Sequence, residues 1–582
     1  MCGIAGLIRR DGGARSERTR ERARAMRAAL RHRGPDGEGE ALLPDAILEH
    51  TRLALQDRAG GAQPMTTPDG RYTLVYNGEV YNHEELRARL PYPFCTRSDA
   101  ETVLAAFAAW GPECVHLFNG MFAFFVWDAQ TRRGFAARDA LGVKPLAYAW
   151  DGEEFLFASE AHVVARARGL PICGHSGAIL EYLVAPCFSG VERPMFAGVD
   201  YLPPGHWLEL GPEGPTLRRY HRFTVGDGPG PDDETLRDGL QQAVRRSCRA
   251  DLPIGVFLSG GLDSTAIAAI AAQHQPAPPP AFTIAFAGMS SYDYAHSTIV
   301  VSDDLPFAKL AARSLGLPLT VVAAPPEELA ADLLRVATSN DALPAWEQEL
   351  AQDRLARAAA AAGLKAVLVG DAADETHFGY HFLLDPAATN SPRALLARFG
   401  AVPVRRDVLA DPQASFADKY SAWMRPGLPR DQQIAGTTAL IVERWLPRLL
   451  HNGDIHGMRS GVEARVPFAD TLLLALAATV APAAGLADGE KTRLRAALRG
   501  VVPEAIRTRR KSALPKDQAS AAVYRQEATR LLADPPELVR SLVDLPGLRP
   551  LLDPARPLGE WERAALFRVI ALCHFARHHG IP

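Results

Sequence analysis

Asp251-Leu252-Pro253-Ile254-Gly255-Val256-Phe257-Leu258-Ser259-Gly260-Gly261-Leu262-Asp263-Ser264 is the stretch on which the architecture of this chain turns. Residues 254–258 are a short apolar run of the kind buried on both faces of a parallel sheet. Two glycines follow almost at once, then an Ala/Ile-rich segment that reads as a helix. A Gly-rich turn between strand and helix presents backbone N–H groups and a helix N-terminus to phosphate. Ser259 and Ser264 add hydroxyl donors, and Asp263 adds a carboxylate suited to Mg2+. No Gly-Lys-Ser/Thr follows, so this is not a Walker A loop, and the spacing is not GxGxxG. Upstream, residues 226–235 are a linker or loop by composition, and 236–249 read as a helix.

The chain around this stretch has 582 residues, 47% hydrophobic and 23% charged, with a net charge of −3. At roughly 100–200 residues per domain it holds more than one domain. Ordinary apolar content and low net charge exclude general disorder. The 64 Lys+Arg nearly balance the 67 Asp+Glu, so no global field favours nucleic acid or an anionic membrane. No run approaches the roughly 20 apolar residues of a bilayer span. Seven cysteines are scattered without a CxxC pair, which is no disulfide framework and fits a reducing cytoplasm. The opening Met1-Cys2-Gly3-Ile4-Ala5-Gly6 leads into no signal-peptide core, so a cytoplasmic location is expected. Residues 15–33 are Arg-rich, but Glu17 and Glu21 argue against a transit peptide. Met26, Ala29 and Leu30 at helical spacing make it a surface helix with a solvated basic face.

Ser259-Gly260-Gly261-Leu262-Asp263-Ser264 matches the SGGxDS pyrophosphate loop of ATP pyrophosphatases, which split ATP between its α and β phosphates. From there the chain resembles the synthetase domain of asparagine synthetase and its relatives. Phe282-Thr283-Ile284 is the second strand and places Ile284 by the adenine. Lys365-Ala366-Val367-Leu368-Val369 is a third buried strand, running into Gly370-Asp371-Ala372-Ala373-Asp374-Glu375. The resemblance implies ATP contacts from Leu258, Ser259, Gly260, Gly261, Asp263, Ser264, Ile284, Val369 and Gly370, and Mg2+ carboxylates at Asp263 and Asp374. Gly461-Val462-Glu463-Ala464-Arg465-Val466-Pro467-Phe468 matches the LEARVPF-like segment. Lys491-Thr492-Arg493-Leu494-Arg495 matches KxxLR, with Arg510-Lys511 in the following basic stretch. Lys491 is either the cation that neutralises departing pyrophosphate or ordinary helix-surface charge.

The first half is similar to the glutaminase domain of class II glutamine amidotransferases, an N-terminal-nucleophile αββα fold. The similarity rests on six motifs: Arg31-His32-Arg33-Gly34-Pro35-Asp36, Thr51-Arg52-Leu53-Ala54, Tyr76-Asn77-Gly78-Glu79-Val80-Tyr81-Asn82, Ser98-Asp99-Ala100-Glu101, Asn119-Gly120-Met121-Phe122-Ala123-Phe124 and Arg138-Asp139-Ala140-Leu141-Gly142-Val143-Lys144-Pro145-Leu146. Cys2 suits the chemistry, because removal of Met1 leaves a thiol and its own α-amine base in one residue. The resemblance makes Cys2 the nucleophile and Asn77 (side-chain amide) and Gly78 (backbone N–H) the oxyanion donors. Arg52 holds the glutamine carboxylate bidentately and Asp99 its ammonium, with Glu79 in the same pocket. Asn77-Gly78 also reads as a hairpin turn, and a turn can itself present the donors.

The expected architecture is therefore a multidomain α/β chain. An αββα glutaminase domain spans 1–225, and a doubly wound, parallel-sheet ATP-pyrophosphatase domain spans 226–582. The implied reaction hydrolyses glutamine at Cys2 and passes ammonia internally to a carboxylate activated as an acyl-adenylate, releasing AMP and pyrophosphate. ATP and Mg2+ are the expected cofactors; glutamine and a small carboxylic acid are the partners. Nucleic acid and membrane are not expected partners, and a homodimer is compatible with the resemblance. Three features depart from the family. Asp371, a catalytic base by resemblance, stands for a longer glutamate at the acyl-adenylate, His377-Phe378 interrupts a Val-Phe-Gly-Gly-Tyr pattern, and Asn340-Asp341-Ala342-Leu343-Pro344-Ala345-Trp346-Glu347 lacks the usual small residues. All lie where the acceptor is expected, so the acceptor is aspartate or a specialised carboxylic acid. The alternatives are a lactam-forming cyclase of the same superfamily, which tends to lose Cys2 or its pocket, and a non-catalytic paralogue, against which Asp263, Asp374 and Lys491 argue.

Overall fold

The computed structural model describes residues 2–512 and 520–582, apart from 10, 12, 14, 15, 288, 290–299, 301, 340 and 342. Met1, Arg15, Asn340 and Ala342 thus lie outside the described residues. The first half comprises, in order, β1 (Cys2–Arg9), α1 (Glu17–Ala29), β2 (Gly37–Leu42), β3 (Ala46–Arg52), β4 (Met65–Thr66), β5 (Tyr72–Val80), α2 (Asp99–Trp110), β6 (Gly120–Asp128), β7 (Arg133–Arg138), β8 (Ala147–Trp150), β9 (Glu154–Ala158), β10 (Asp200–Tyr201), β11 (His206–Gly211) and β12 (Gly214–Arg219). The strands make two six-stranded antiparallel sheets, ordered β10-β8-β9-β1-β3-β2 and β12-β11-β7-β6-β5-β4. Ile4, Leu48, Val75, Phe125, Phe157 and Leu208 are buried together between the two sheets, and Phe125 stacks on Phe157 at 4.4 Å. Each such side chain contributes about 1.5–3 kcal/mol on burial, which makes the facing sheets the spine of this half. Ser16 caps α1 by accepting from the Thr19 N–H, and the helix lays Ala23 on Ile47 of β3. On the opposite side α2 packs Val103, Leu104 and Phe107 against Leu74, Phe122 and Phe124. The result is an αββα sandwich.

Asn77 and Gly78 sit inside β5, paired with Ala123 and Phe122 of β6. The turn reading is therefore wrong. A two-residue signal is local, and the long β5–β6 pairing overrides it.

The second half contributes α3 (Asp233–Ser247), β13 (Gly255–Phe257), α4 (Leu262–His274), β14 (Ala281–Phe286), β15 (Leu319–Ala324), α5 (Gln348–Ala361), β16 (Ala366–Leu368), α6 (Leu446–Arg459), β17 (Glu463–Arg465) and α7 (Glu560–His579). Its five strands are parallel neighbours in the order β15-β14-β13-β16-β17. The order reverses between β13 and β16. Their C-terminal ends therefore open onto the switch point at which doubly wound sheets bind ligands.

Two hydrophobic clusters cross from one half to the other. One joins Leu53, Tyr81, Met121 and Val143 to Leu240, Val256 and Phe468. The other joins Met26, Tyr182 and Phe196 to Tyr420, Phe567 and Phe575. No helix among the described residues is long and apolar enough to cross a membrane.

Candidate active site

Cys2 opens β1 and Arg52 closes β3, and the antiparallel register sets them opposite each other. The Cys2 N–H donates to Asn77 Oδ1 at 3.0 Å. That bond fixes the amide, and Asn77 Nδ2 is left buried with no hydrogen-bond partner. An orphaned buried donor costs about 1–3 kcal/mol, and beside a cysteine thiol it is placed to receive an oxyanion. A Cβ on Gly78 would lie 2.3 Å from the Met121 carbonyl oxygen, so the close β5–β6 approach demands glycine. The Arg52 guanidinium donates to the carbonyls of Gln56 (3.3 Å), Asp57 (2.6 Å) and Arg58 (3.0 Å), which curl around it. Asp99 opens α2 after the Ser98 cap, and its Oδ2 accepts from Tyr76 Oη (2.6 Å) and the Val80 N–H (3.0 Å). Glu79 accepts from Gln56 Nε2 at 2.7 Å and from Arg465 at 2.9 Å. Burial pushes the Cys2 thiol up, so a local base is needed to form the thiolate. Burial also pushes Glu79 up to about 8 against the pull of Arg465.

At the other end, Gly260 has φ +73°, and a Cβ there would meet the Ala308 nitrogen at 2.3 Å; only glycine makes this turn. Leu258 is buried at the end of β13. Ser259 and Ser264 hydroxyls lie 3.0 Å apart across the loop, and Gly261 caps α4. Lys491 Nζ donates to Asp263 Oδ2 at 2.5 Å and sits 2.6 Å from Asp374 Oδ1. Lys511 Nζ donates to Asp374 Oδ2 at 2.5 Å. Gly379 makes room, since a Cβ there would fall 2.1 Å from Asp374 Oδ1. Burial alone would raise Asp374, but Lys491 and Lys511 outweigh it and hold the group at about 2. Asp263 Oδ1 is buried without a hydrogen-bond partner. Two converging carboxylates with an unsatisfied oxygen suit a hard divalent cation. Burial, then Asp374 and Asp263, push Asp371 up to about 6, with Lys511 pulling back. Asp371 borders a small cleft with Phe257, Gln352, Val369, Gly453 and Ala464. Ile284 borders a small open cleft with Phe286, Leu350 and Arg354. The Val369 N–H donates to the Arg465 carbonyl at 3.0 Å, and Gly370 brings the β16 end onto Asp263.

The fold thus gathers Cys2, Arg52, Asn77, Gly78, Glu79 and Asp99 at one end, and Asp263, Asp371, Asp374 and Lys491 with the 259–264 loop at the other. Lys491 is 3% exposed, so the helix-surface reading is wrong; its left-handed φ of 57° turns it onto the two carboxylates. Three departures take definite form. Phe378 adopts φ +56°, and its extra bulk is absorbed by the core, where its ring lies 2.3 Å from a Cβ placed on Gly485. Burial, then Lys491, hold His377 at about 3, a neutral ring. Asp341 binds the first half, accepting from the Ala161 N–H (2.7 Å) and Tyr201 Oη (2.9 Å). Two groups missing from the sequence-derived sites are Lys511 and Arg465. Both lie in stretches that the resemblance marks, Lys511 in the basic stretch with Arg510 and Arg465 in the LEARVPF-like segment 461–468, but neither stretch names the carboxylate that its cation meets.

Two antiparallel sheets headed by a cysteine, joined to a parallel sheet with a glycine-rich strand–helix loop, give the architecture of a two-part glutamine amidotransferase. Residues 1–221 match the family described as Glutamine amidotransferase domain, and residues 235–573 that described as Asparagine synthase. The chain belongs to the asparagine synthase family, and it is an asparagine synthetase-like, glutamine-dependent amidotransferase. It is 30% identical over 556 residues to glutamine-hydrolyzing asparagine synthetase 3 of Bacillus subtilis (strain 168), covering 89% of this chain and 87% of that protein. Synthetase 1 of the same organism is 27% identical over 569 residues, covering 88% and 87%. The glutamine-hydrolyzing asparagine synthetase of Triphysaria versicolor is 34% identical over 279 residues, covering 47% and 42%.

Proposed function

We propose that this enzyme hydrolyses glutamine at Cys2 and uses the ammonia to amidate a carboxylic acid activated by ATP as an acyl-adenylate. The carrying observation is Lys491, which touches both Asp263 and Asp374 beside the 259–264 loop. In the first half-reaction the Cys2 thiol gives its proton to the α-amine and attacks the glutamine amide carbon. Asn77 Nδ2 and the Gly78 N–H receive the oxyanion; the α-ammonium returns the proton to the amide nitrogen, which leaves as ammonia, and water cleaves the resulting Cys2 thioester to glutamate and the free thiol. Arg52 and Asp99 hold the glutamine carboxylate and ammonium. In the second, the acceptor carboxylate attacks the α-phosphorus and pyrophosphate departs beside Lys491. Ammonia then attacks the acyl carbon and AMP leaves. Asp263 and Asp374 would hold Mg2+, which neutralises phosphate charge when bound. Seven free cysteines agree with a reducing cytoplasm. Domain limits at 225/226 follow the same reading.

The acceptor is proposed to be a carboxylic acid other than aspartate, because Asp371 is shorter than the family's glutamate and Asp341 is committed to the first half. A base displaced by about 1 Å can cost ~10²-fold. The lactam-cyclase alternative needs no ammonia, and the complete set around Cys2 weighs against it. A screen of carboxylates, read by pyrophosphate release and product mass, tests the proposal. AMP and pyrophosphate are expected; ADP and phosphate would refute it. Asp263→Asn and Asp374→Asn are expected to lose pyrophosphate release and keep glutaminase activity. A kcat/KM for aspartate of ~10⁴ M⁻¹s⁻¹ or more, with no better acceptor, would leave plain asparagine synthesis.

A further inference from the structure

Arg465 belongs to the parallel sheet yet reaches the glutamine pocket. It ends β17, and its side chain is fully buried. Its NH2 donates to Glu79 Oε1 at 2.9 Å, its Nε to Glu463 Oε1 at 2.5 Å, and its NH1 to the Ser247 and Arg249 carbonyls at 2.9 and 2.5 Å. Glu79 directly follows Asn77-Gly78, and its other oxygen accepts from Gln56 Nε2 at 2.7 Å. The Gln56 carbonyl in turn accepts from Arg52 at 3.3 Å. On the other side, the Arg465 carbonyl accepts from the Val369 N–H at 3.0 Å, two residues before Asp371. One residue therefore joins the strand end that carries Asp371, through its backbone carbonyl, to the carboxylate beside the oxyanion donors, through its guanidinium.

We propose that Arg465 is a positioning residue of the glutamine site, supplied by the synthetase half: through Glu79 and Gln56 it sets where Arg52 and Asn77-Gly78 stand. This rests on the reading of those residues as the glutamine pocket. The four observed donations use the planar fork in several directions at once, which a lysine ammonium on a flexible stem cannot reproduce. Beyond the Gln56 amide, that fork is what holds the Glu79 side chain, because no other described cation pairs with it at ion-pair distance. The Lys144 ammonium is directed to Asp454 instead, at 3.6 Å.

The test uses full-length Arg465→Gln and Arg465→Lys beside wild type. Glutamine hydrolysis and ammonium-driven synthesis are measured in parallel. Arg465→Gln is expected to raise the glutamine KM by about ten-fold or more while ammonium-driven kcat stays within about two-fold. Arg465→Lys is expected to give a smaller rise in the same direction. Adding Glu79→Gln to Arg465→Gln is expected to add little, since the two residues act as one unit. A wild-type glutamine KM in either folded variant overturns the proposal, as does a parallel fall of glutamine- and ammonium-driven synthesis. If Arg465→Gln does not fold, Arg465→Lys decides by the same two criteria. Absence of glutaminase activity in wild type would instead reject the reading of the pocket.

Discussion

Asn77 has one amide atom occupied and one not. Its Oδ1 accepts from the Cys2 N–H, while Nδ2 is buried and unpartnered. Asn77→Asp keeps the acceptor and removes the donor. It should therefore lower kcat for glutamine hydrolysis by about 10²–10³-fold without disturbing β1, and leave ammonium-driven synthesis intact. Cys2→Ala should abolish hydrolysis altogether with the same sparing, measured as glutamate release against product formed from ammonium. Near-wild-type glutamate release from Cys2→Ala would dismiss the nucleophile assignment. Asp371 poses the opposite question, since its carboxyl is pushed up to about 6 from an unfolded value of ~3.9. A raised carboxyl is protonated more readily in the folded form, so it destabilises the fold above pH 6 and ceases to do so as pH falls toward 4. Asp371→Asn should thus lose pyrophosphate release yet gain about 2 kcal/mol at pH 8, seen as a raised melting temperature. In wild type the pH profile of pyrophosphate release should fall through an acid limb near pH 6. A flat profile across that range would remove Asp371 from the chemistry.

The segment from β16 through residue 380 shows how strain and packing are traded. Phe378 holds a left-handed backbone, costing about 1–2 kcal/mol, but its ring is 2% exposed in the core. Removing a buried Phe side chain costs roughly 3–5 kcal/mol, so packing wins. Phe378→Gly should destabilise the protein by about 2 kcal/mol despite relieving the backbone, which thermal unfolding would register as a lower midpoint. An unchanged or higher midpoint would mean that the ring contributes little. The strand, glycine turn and helix at 254–274 were legible in sequence because everything that makes them is local: an apolar run, a left-handed glycine and a capped helix start. The same local logic misread Asn77-Gly78 as a candidate turn, because the β5–β6 ladder that straightens it joins residues some 45 positions apart.

Long-range partners were the part the sequence kept hidden. Lys511 meets Asp374 across 137 positions and Arg465 meets Glu79 across 386, separations at which no spacing rule operates. The Cys2, Asn77 and Asp263 motifs could be read because each carries its chemistry within a few residues. The apolar clusters that cross between the halves have a thermodynamic counterpart: the halves should unfold together, giving a single calorimetric transition, where two resolved transitions would mean that the shared cores contribute little. The charges that join the halves differ in their access to water. Arg33–Asp454 and Arg465–Glu79 are sealed at 0%/1% and 0%/7% exposure, whereas Lys365–Asp36 stands at 28%/26%. Mobile ions screen fields over about 8 Å at physiological ionic strength, but only where solvent carries them. Added electrolyte will therefore weaken the outer clasp and leave the two inner ones untouched, so the seam between the halves keeps its buried charge contacts whatever the ionic composition of the medium.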